Sequence, residues 1–353
     1  MVVEQTHHDS SDITMAGIEK ANGHRPSGLL HLLDPSLKLA PHPKQEEYQF
    51  DLDTALSSVV RLTTEVPEDA FSARTLGTER QGNAVLLNDD GMLLTIGYLV
   101  VDAHTIVLNA PGGQSVNAEL VGYNHESGMA IIHALSPLDI PAMQPGTAED
   151  LKESDTVIIA PYGGVDHAIN AVVVSRREFA GSWEYMLDSA IFTAPIHPNW
   201  SGAALIRQDG TLCGIGSLWV NDAEDDRSDS PGNMFVPIDL LKPIYDDLVS
   251  TGLAQAPHRP WLGMYTAEAM GRLFVSGIID DGPADVAGVE AGDLIAGIED
   301  EDVQTLPELY RKLWSVGEAG VDVTLNLRRD GEDIDVTITS DSRYSFMEKR
   351  RRH

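Results

Sequence analysis

Nucleophilic and acid–base chemistry at neutral pH falls to few side-chain types, and this chain carries 12 His and 1 Cys in 353 residues. Histidine is the natural general base, because its ordinary pKa lies close to neutrality. Three histidines are placed where they could act: His104, His125, and His197, which precedes Ser201 in His197-Pro198-Asn199-Trp200-Ser201-Gly202. A histidine activates a serine hydroxyl only when it comes within about 2.6–3.2 Å of the oxygen. Cys213 has no thiol partner for an intrachain disulfide. It lies in the apolar run Leu212-Cys213-Gly214-Ile215, where a cysteine behaves as a small hydrophobe. With no second ligand nearby, no metal is expected, nor any other cofactor. The pair His7-His8 sits in a polar stretch and reads as solvated.

Short strands must position any such chemistry. From Leu56 to about Asp247 the chain alternates β-branched and apolar runs with turn signals. The runs at 58–62, 84–87, 92–95 and 105–108 are separated by Asn88-Asp89-Asp90-Gly91 and Pro111-Gly112-Gly113. Further strands are expected at 118–121, 130–133, 156–160, 171–174, 204–206 and 212–216. Many short strands with Gly- and Asp-rich turns indicate an all-β barrel or sandwich. A helix is expected from Pro237 to Leu253, with apolar residues at helical spacing and a stop near Gly252. After a linker at 257–260 comes a compact mixed unit. It holds a helix around Leu306–Val316 and two last strands around 321–328 and 334–339.

Bulk composition narrows the function. The formal net charge is -31, from 55 Asp and Glu against 24 Lys and Arg. Nucleic-acid binding is excluded as a general role, since phosphate must be neutralised by cations. Docking on anionic membranes is disfavoured for the same reason. The acidic surface either solubilises the chain or draws a basic partner. The amino terminus shows no basic patch followed by an apolar stretch, and no apolar run spans a bilayer. The chain is therefore expected to be cytoplasmic. Residues 1–45 read as a flexible extension, and 342–353, with Lys349-Arg350-Arg351-Arg352, as a basic frayed tail.

Four stretches, in order, resemble HtrA-family (DegP/DegQ-like) serine proteases. They are Asn88–Thr95, His197–Ile206 around Ser201, Asp209–Ile215, and Gly232-Asn233-Met234-Phe235-Val236-Pro237. The resemblance implies a mainly β protein: a trypsin-like double β-barrel at 46–255, then a small α+β PDZ domain at 258–341. It also places Ser201 at the nucleophile position, Tyr98 where the family has histidine, and Gly128 where it has aspartate. Asn199 and Trp200 stand in the oxyanion-hole loop, where the family has glycine at the former position. Tyr98, with a reference pKa of about 10, is no ordinary base at pH 7. On the family pattern His197 points away or caps a turn, and His104 lies on the surface.

In the PDZ part, Leu262-Gly263-Met264 resembles the loop whose N–H groups receive a peptide's terminal carboxylate. The helix bearing Leu309, Tyr310 and Leu313 would form the other wall, or serve only as core. Tyr48 and Phe50 stand where the family forms homotrimers, or else seal a barrel end. The main expectation is a catalytically inactive protein that binds protein segments or C termini as a scaffold, chaperone-like factor or assembly subunit. The alternative is an atypical serine hydrolase using Ser201 with a non-standard base, able to act on an easier ester or thioester.

Overall fold

The computed structural model describes residues 41–224, 229–255 and 257–351. His7-His8 and most of the expected extension lie outside the described residues.

Two closed β-barrels follow one another. The first is built from β1 (Val59–Glu65), β2 (Glu79–Leu86), β3 (Met92–Ile96), β4 (Thr105–Asn109), β5 (Ser115–Tyr123) and β6 (Met129–Ala134). Its strand order β1-β2-β3-β6-β5-β4 closes where Leu62 of β1 pairs Leu108 of β4. The second is built from β7 (Thr156–Ala160), β8 (Ile169–Gly181), β9 (Tyr185–Ala194), β10 (Ala204–Ile206), β11 (Leu212–Val220) and β12 (Gly232–Pro237). It closes where Ala204 of β10 pairs Ala160 of β7. Closure leaves no unpaired strand edge to template aggregation. Val157, Ile159, Ile191, Leu205, Cys213 and Phe235 fill the second barrel.

A short helix, α1 (Leu52–Ser57), leads into β1. Its first turn is capped by the Asp51 side chain, which accepts from the Thr54 N–H at 3.0 Å. Tyr48 and Phe50, just before it, face their own chain: the Tyr48 hydroxyl donates to Asn170 Oδ1 at 2.7 Å, and the two rings lie 5.3 Å apart. One more short helix, α2 (Ala73–Leu76), precedes β2.

Two expectations differ from the structure here. The run at 237–253 is broken into a 3₁₀ turn, Ile238–Leu240, and a helix, α3 (Tyr245–Thr251). Pro243 explains the break, since it lacks an N–H and disfavours helical backbone at Lys242. Strand β9 escaped the sequence pattern because Asp188 and Ser189, both exposed, interrupt its apolar run before the buried stretch Ala190–Thr193.

Residues 41–179 and 187–255 form one compact unit, and residues 180–186 with 257–351 form another. In the second unit β13 (Met264–Ala269), β14 (Arg272–Ile278), β15 (Leu294–Ile298), β17 (Asp322–Arg329) and β18 (Glu332–Thr339) make one sheet in that order. A short β16 (Glu301–Asp302) pairs with β15, and β13 is an edge strand. Two helices, α4 (Pro283–Val286) and α5 (Leu306–Ser315), complete the fold. The start of α5 is legible in sequence as a capping box: Thr305 and Glu308 satisfy each other's backbone N–H groups. Leu309, Tyr310 and Leu313 are fully buried in a core with Leu262, Val323 and Leu325.

The terminal segment corrects the expectation of a frayed tail. It forms a helix, α6 (Arg343–Arg351), whose Phe346 ring packs 4.9 Å from Trp261. Two buried apolar side chains, Phe346 and Met347, anchor this helix.

Candidate functional site

Ser201 lies in the turn between β9 and β10, half-buried, and Asn83 of the first barrel holds its loop. The Asn83 N–H donates to the Ser201 carbonyl at 2.9 Å, and its side-chain Nδ2 donates to the carbonyls of Ser201 at 2.9 Å and Asn199 at 3.1 Å. Asn83 Oδ1 accepts from the Tyr162 N–H at 2.8 Å. A buried amide that meets its partners in this way rigidifies what it touches. Gly202 then turns the chain back with φ of 68°.

Tyr98 faces this serine. It sits in the 3₁₀ turn Gly97–Leu99 that follows β3, and its Oη lies 2.9 Å from Ser201 Oγ and 2.7 Å from the Ser217 carbonyl. The phenol has one proton, and the carbonyl can only accept. That proton therefore goes to Ser217, leaving the phenol oxygen to accept from the serine hydroxyl. Burial raises the phenol's pKa well above its ordinary value, with the hydrogen bond from Ser201 pulling the other way. Tyr98 is thus a neutral acceptor at physiological pH.

The turn carrying Tyr98 is pinned by a residue that sequence reasoning missed. Arg80, 4% exposed, donates from Nη1 to the carbonyls of Tyr98 at 2.8 Å and Val101 at 2.9 Å. Its Nε reaches the Gly77 carbonyl at 3.1 Å, and its Nη2 the Ser72 hydroxyl at 2.7 Å. Burial lowers its pKa to about 10, so the guanidinium stays charged at neutrality.

Gly128 supplies backbone alone. Its carbonyl accepts from Gly97 N–H at 2.6 Å and its own N–H donates to Asn124 at 2.9 Å. The histidines are occupied elsewhere. His197 is 3% exposed, with Nε2 on the His167 carbonyl at 2.8 Å and Nδ1 accepting from the Asn199 N–H at 2.9 Å. Asn233 Oδ1 accepts from its backbone N–H at 2.6 Å. Burial lowers its pKa, which keeps the imidazole neutral. The Asn199 N–H is therefore spent inside its own turn instead of waiting for an oxyanion. His104 is exposed beside Thr105, and the His125 ring packs 4.4 Å from Tyr123. Trp200 is buried with its ring edge-on to Trp219 at 6.1 Å.

In the second unit the loop Leu262-Gly263-Met264 aims its three N–H groups at one carboxylate, that of Glu184 in the tip 180–186. Nothing in the sequence singled out this glutamate.

Comparison with known proteins agrees with this architecture. A trypsin-like peptidase domain model matches residues 82–215 and a PDZ domain model matches residues 260–339. The chain is 27% identical over 273 residues to a probable periplasmic serine endoprotease, DegP-like, of Halomonas elongata, covering 73% of this chain and 56% of that one. It is 25% identical over 272 residues to the periplasmic serine endoprotease DegP of Escherichia coli K12, covering 73% and 56%. The chain spans a little over half the length of these relatives. Against solved structures it superposes on the HtrA-type protease AlgW with decapeptide at a TM-score of 0.51 and 18% identity, covering 83% and 99%.

Two expectations are corrected by these relatives. They are named serine endoproteases, which overturns the expectation that the chain is not an enzyme. They are also named periplasmic, against the expected cytoplasmic location; composition carries no compartment signal that could have shown it. The chain is thus a mainly β protein with a trypsin-like peptidase domain followed by a PDZ domain, and it is similar to the DegP-like serine endoproteases.

Proposed function

We propose that this chain is an atypical, periplasmic serine hydrolase in which Ser201 is the nucleophile and Tyr98 the hydrogen-bond acceptor for its proton, with the PDZ unit capturing polypeptide. The observation that carries the reading is the 2.9 Å contact between Tyr98 Oη and Ser201 Oγ. The naming of the relatives as endoproteases supports it, as does the peptide recorded with AlgW.

The geometry also bounds the substrate. A neutral phenol removes a proton poorly, and one oxyanion donor is engaged by His197. Reactive acyl groups, esters and thioesters, need the least help from either and are the class this site can turn over. Phenolate is the competent form, and burial keeps it scarce at neutral pH.

The test is labelling with a fluorophosphonate together with hydrolysis of a nitrophenyl ester. Both are expected at Ser201 and lost in Ser201→Ala. The rate should climb about tenfold per pH unit from 7 to 9 without a plateau, following the phenolate fraction. Tyr98→Phe should slow labelling at least about tenfold. A plateau below about pH 8 would reveal an imidazole base and remove Tyr98 from the mechanism. No labelling at any pH up to about 10 sinks the hydrolase reading.

A further inference from the structure

The three N–H groups at the start of β13 have a ligand already. Glu184 Oε2 accepts from Leu262 N–H at 2.9 Å, and Oε1 accepts from Gly263 at 2.8 Å and Met264 at 3.1 Å. Around this carboxylate the tip 180–186 makes the contacts an added peptide would make. The Ser182 carbonyl accepts from the Thr266 N–H of the edge strand β13 at 2.8 Å. On α5, the Tyr310 hydroxyl donates to the Gly181 carbonyl at 2.7 Å and accepts from the Glu184 N–H at 3.2 Å. Ala180 and Met186 pack on the domain core.

Two features indicate that the carboxylate is seated by these contacts. Glu184 is 8% exposed, and a buried carboxylate survives only with hydrogen-bond donors around it. It also holds φ of 55°, a left-handed conformation costing about 1–2 kcal/mol for a residue with a Cβ. Such strain persists only where the surroundings over-determine it.

We propose that Glu184 is a built-in ligand of the Leu262–Met264 loop, and that polypeptide C termini bind there only by displacing residues 180–186. This rests on the PDZ unit being a polypeptide-capturing module; it does not depend on whether Ser201 hydrolyses anything. The tip belongs to the same chain, so it competes at a high effective concentration. An outside peptide meets an affinity reduced by the fraction of molecules whose loop is open. An amidated C terminus, lacking the second oxygen anion, has no claim on the three donors.

The experiment uses the full chain and fluorescein-labelled decapeptides ending in Val, Leu, Ile or Phe, each with a free carboxylate or as its amide, read by anisotropy. Hydrogen exchange at residues 262–264 is followed in parallel. Free-carboxylate probes should bind Glu184→Ala and Glu184→Gln at least about tenfold tighter than wild type, while amides bind neither. The 262–264 amides should exchange slowly in wild type and fast in Glu184→Ala. Should the alanine variant not fold, Glu184→Gln, which keeps one acceptor and loses the charge, carries the test. Equal affinity for wild type and variants leaves capture standing and removes the built-in ligand. No binding to variants whose 262–264 amides are open overturns capture itself, and the inference with it.

Discussion

Gly202→Ala is expected to destabilise the peptidase unit by roughly 3–5 kcal/mol, which lowers its melting temperature by about 10 °C. At φ of 68° any side chain already strains the backbone. The added Cβ would also fall 2.0 Å from the Asn83 carbonyl oxygen and 2.9 Å from Thr95 Oγ1. Neither neighbour can step aside. The Asn83 carbonyl accepts from Thr95 Oγ1 at 2.7 Å, and the Asn83 N–H is bonded to the carbonyl of Ser201 itself. Relief must come from moving the serine loop, so Ser201 labelling should fall together with stability. Scanning calorimetry and fluorophosphonate labelling of the same preparation check both. A melting shift below about 2 °C would show that the loop yields freely and that Asn83 does not hold it.

Arg80→Met should be comparably severe, lowering stability by about 3–5 kcal/mol in urea unfolding at neutral pH. The substitution keeps much of the buried length and removes the donors. The carbonyls of Gly77, Tyr98 and Val101 then lose their partner in a place water reaches poorly. Arg80→Lys should recover little, because one ammonium cannot span the positions that a planar guanidinium fork meets at once. The turn Gly97–Leu99 would loosen with either change, and the phenol would no longer be held against Ser201. Lysine restoring full stability would mean that charge alone, not the fork, is required here.

The site became legible in the sequence only as far as residue types reach. The family resemblance implied Tyr98 and Gly128 at the triad positions, and a phenol there was expected to be no ordinary base at neutral pH. That Tyr98 accepts from Ser201 while donating to Ser217 could not be read, because the partners lie 103 and 119 residues away. His197 shows the same limit. Its closeness to Ser201 in sequence suggested a role, yet both its ring nitrogens are committed to backbone groups at 167 and 199.

What the sequence determined by itself is local and periodic. Alternating apolar runs between Gly- and Asp-rich turns specify strands, since successive side chains in a strand face opposite sides. Thr305 and Glu308 specify where α5 begins, because both capping partners lie within one turn. The tertiary structure alone decided which distant groups meet: Asn83 beneath Ser201, Arg80 under the Tyr98 turn, and Glu184 on a loop 78 to 80 residues ahead. Those pairings follow from barrel closure and from the need of every buried donor, acceptor and charge to find a partner. Both conditions are satisfied across the whole fold at once, so no short stretch of residues encodes them.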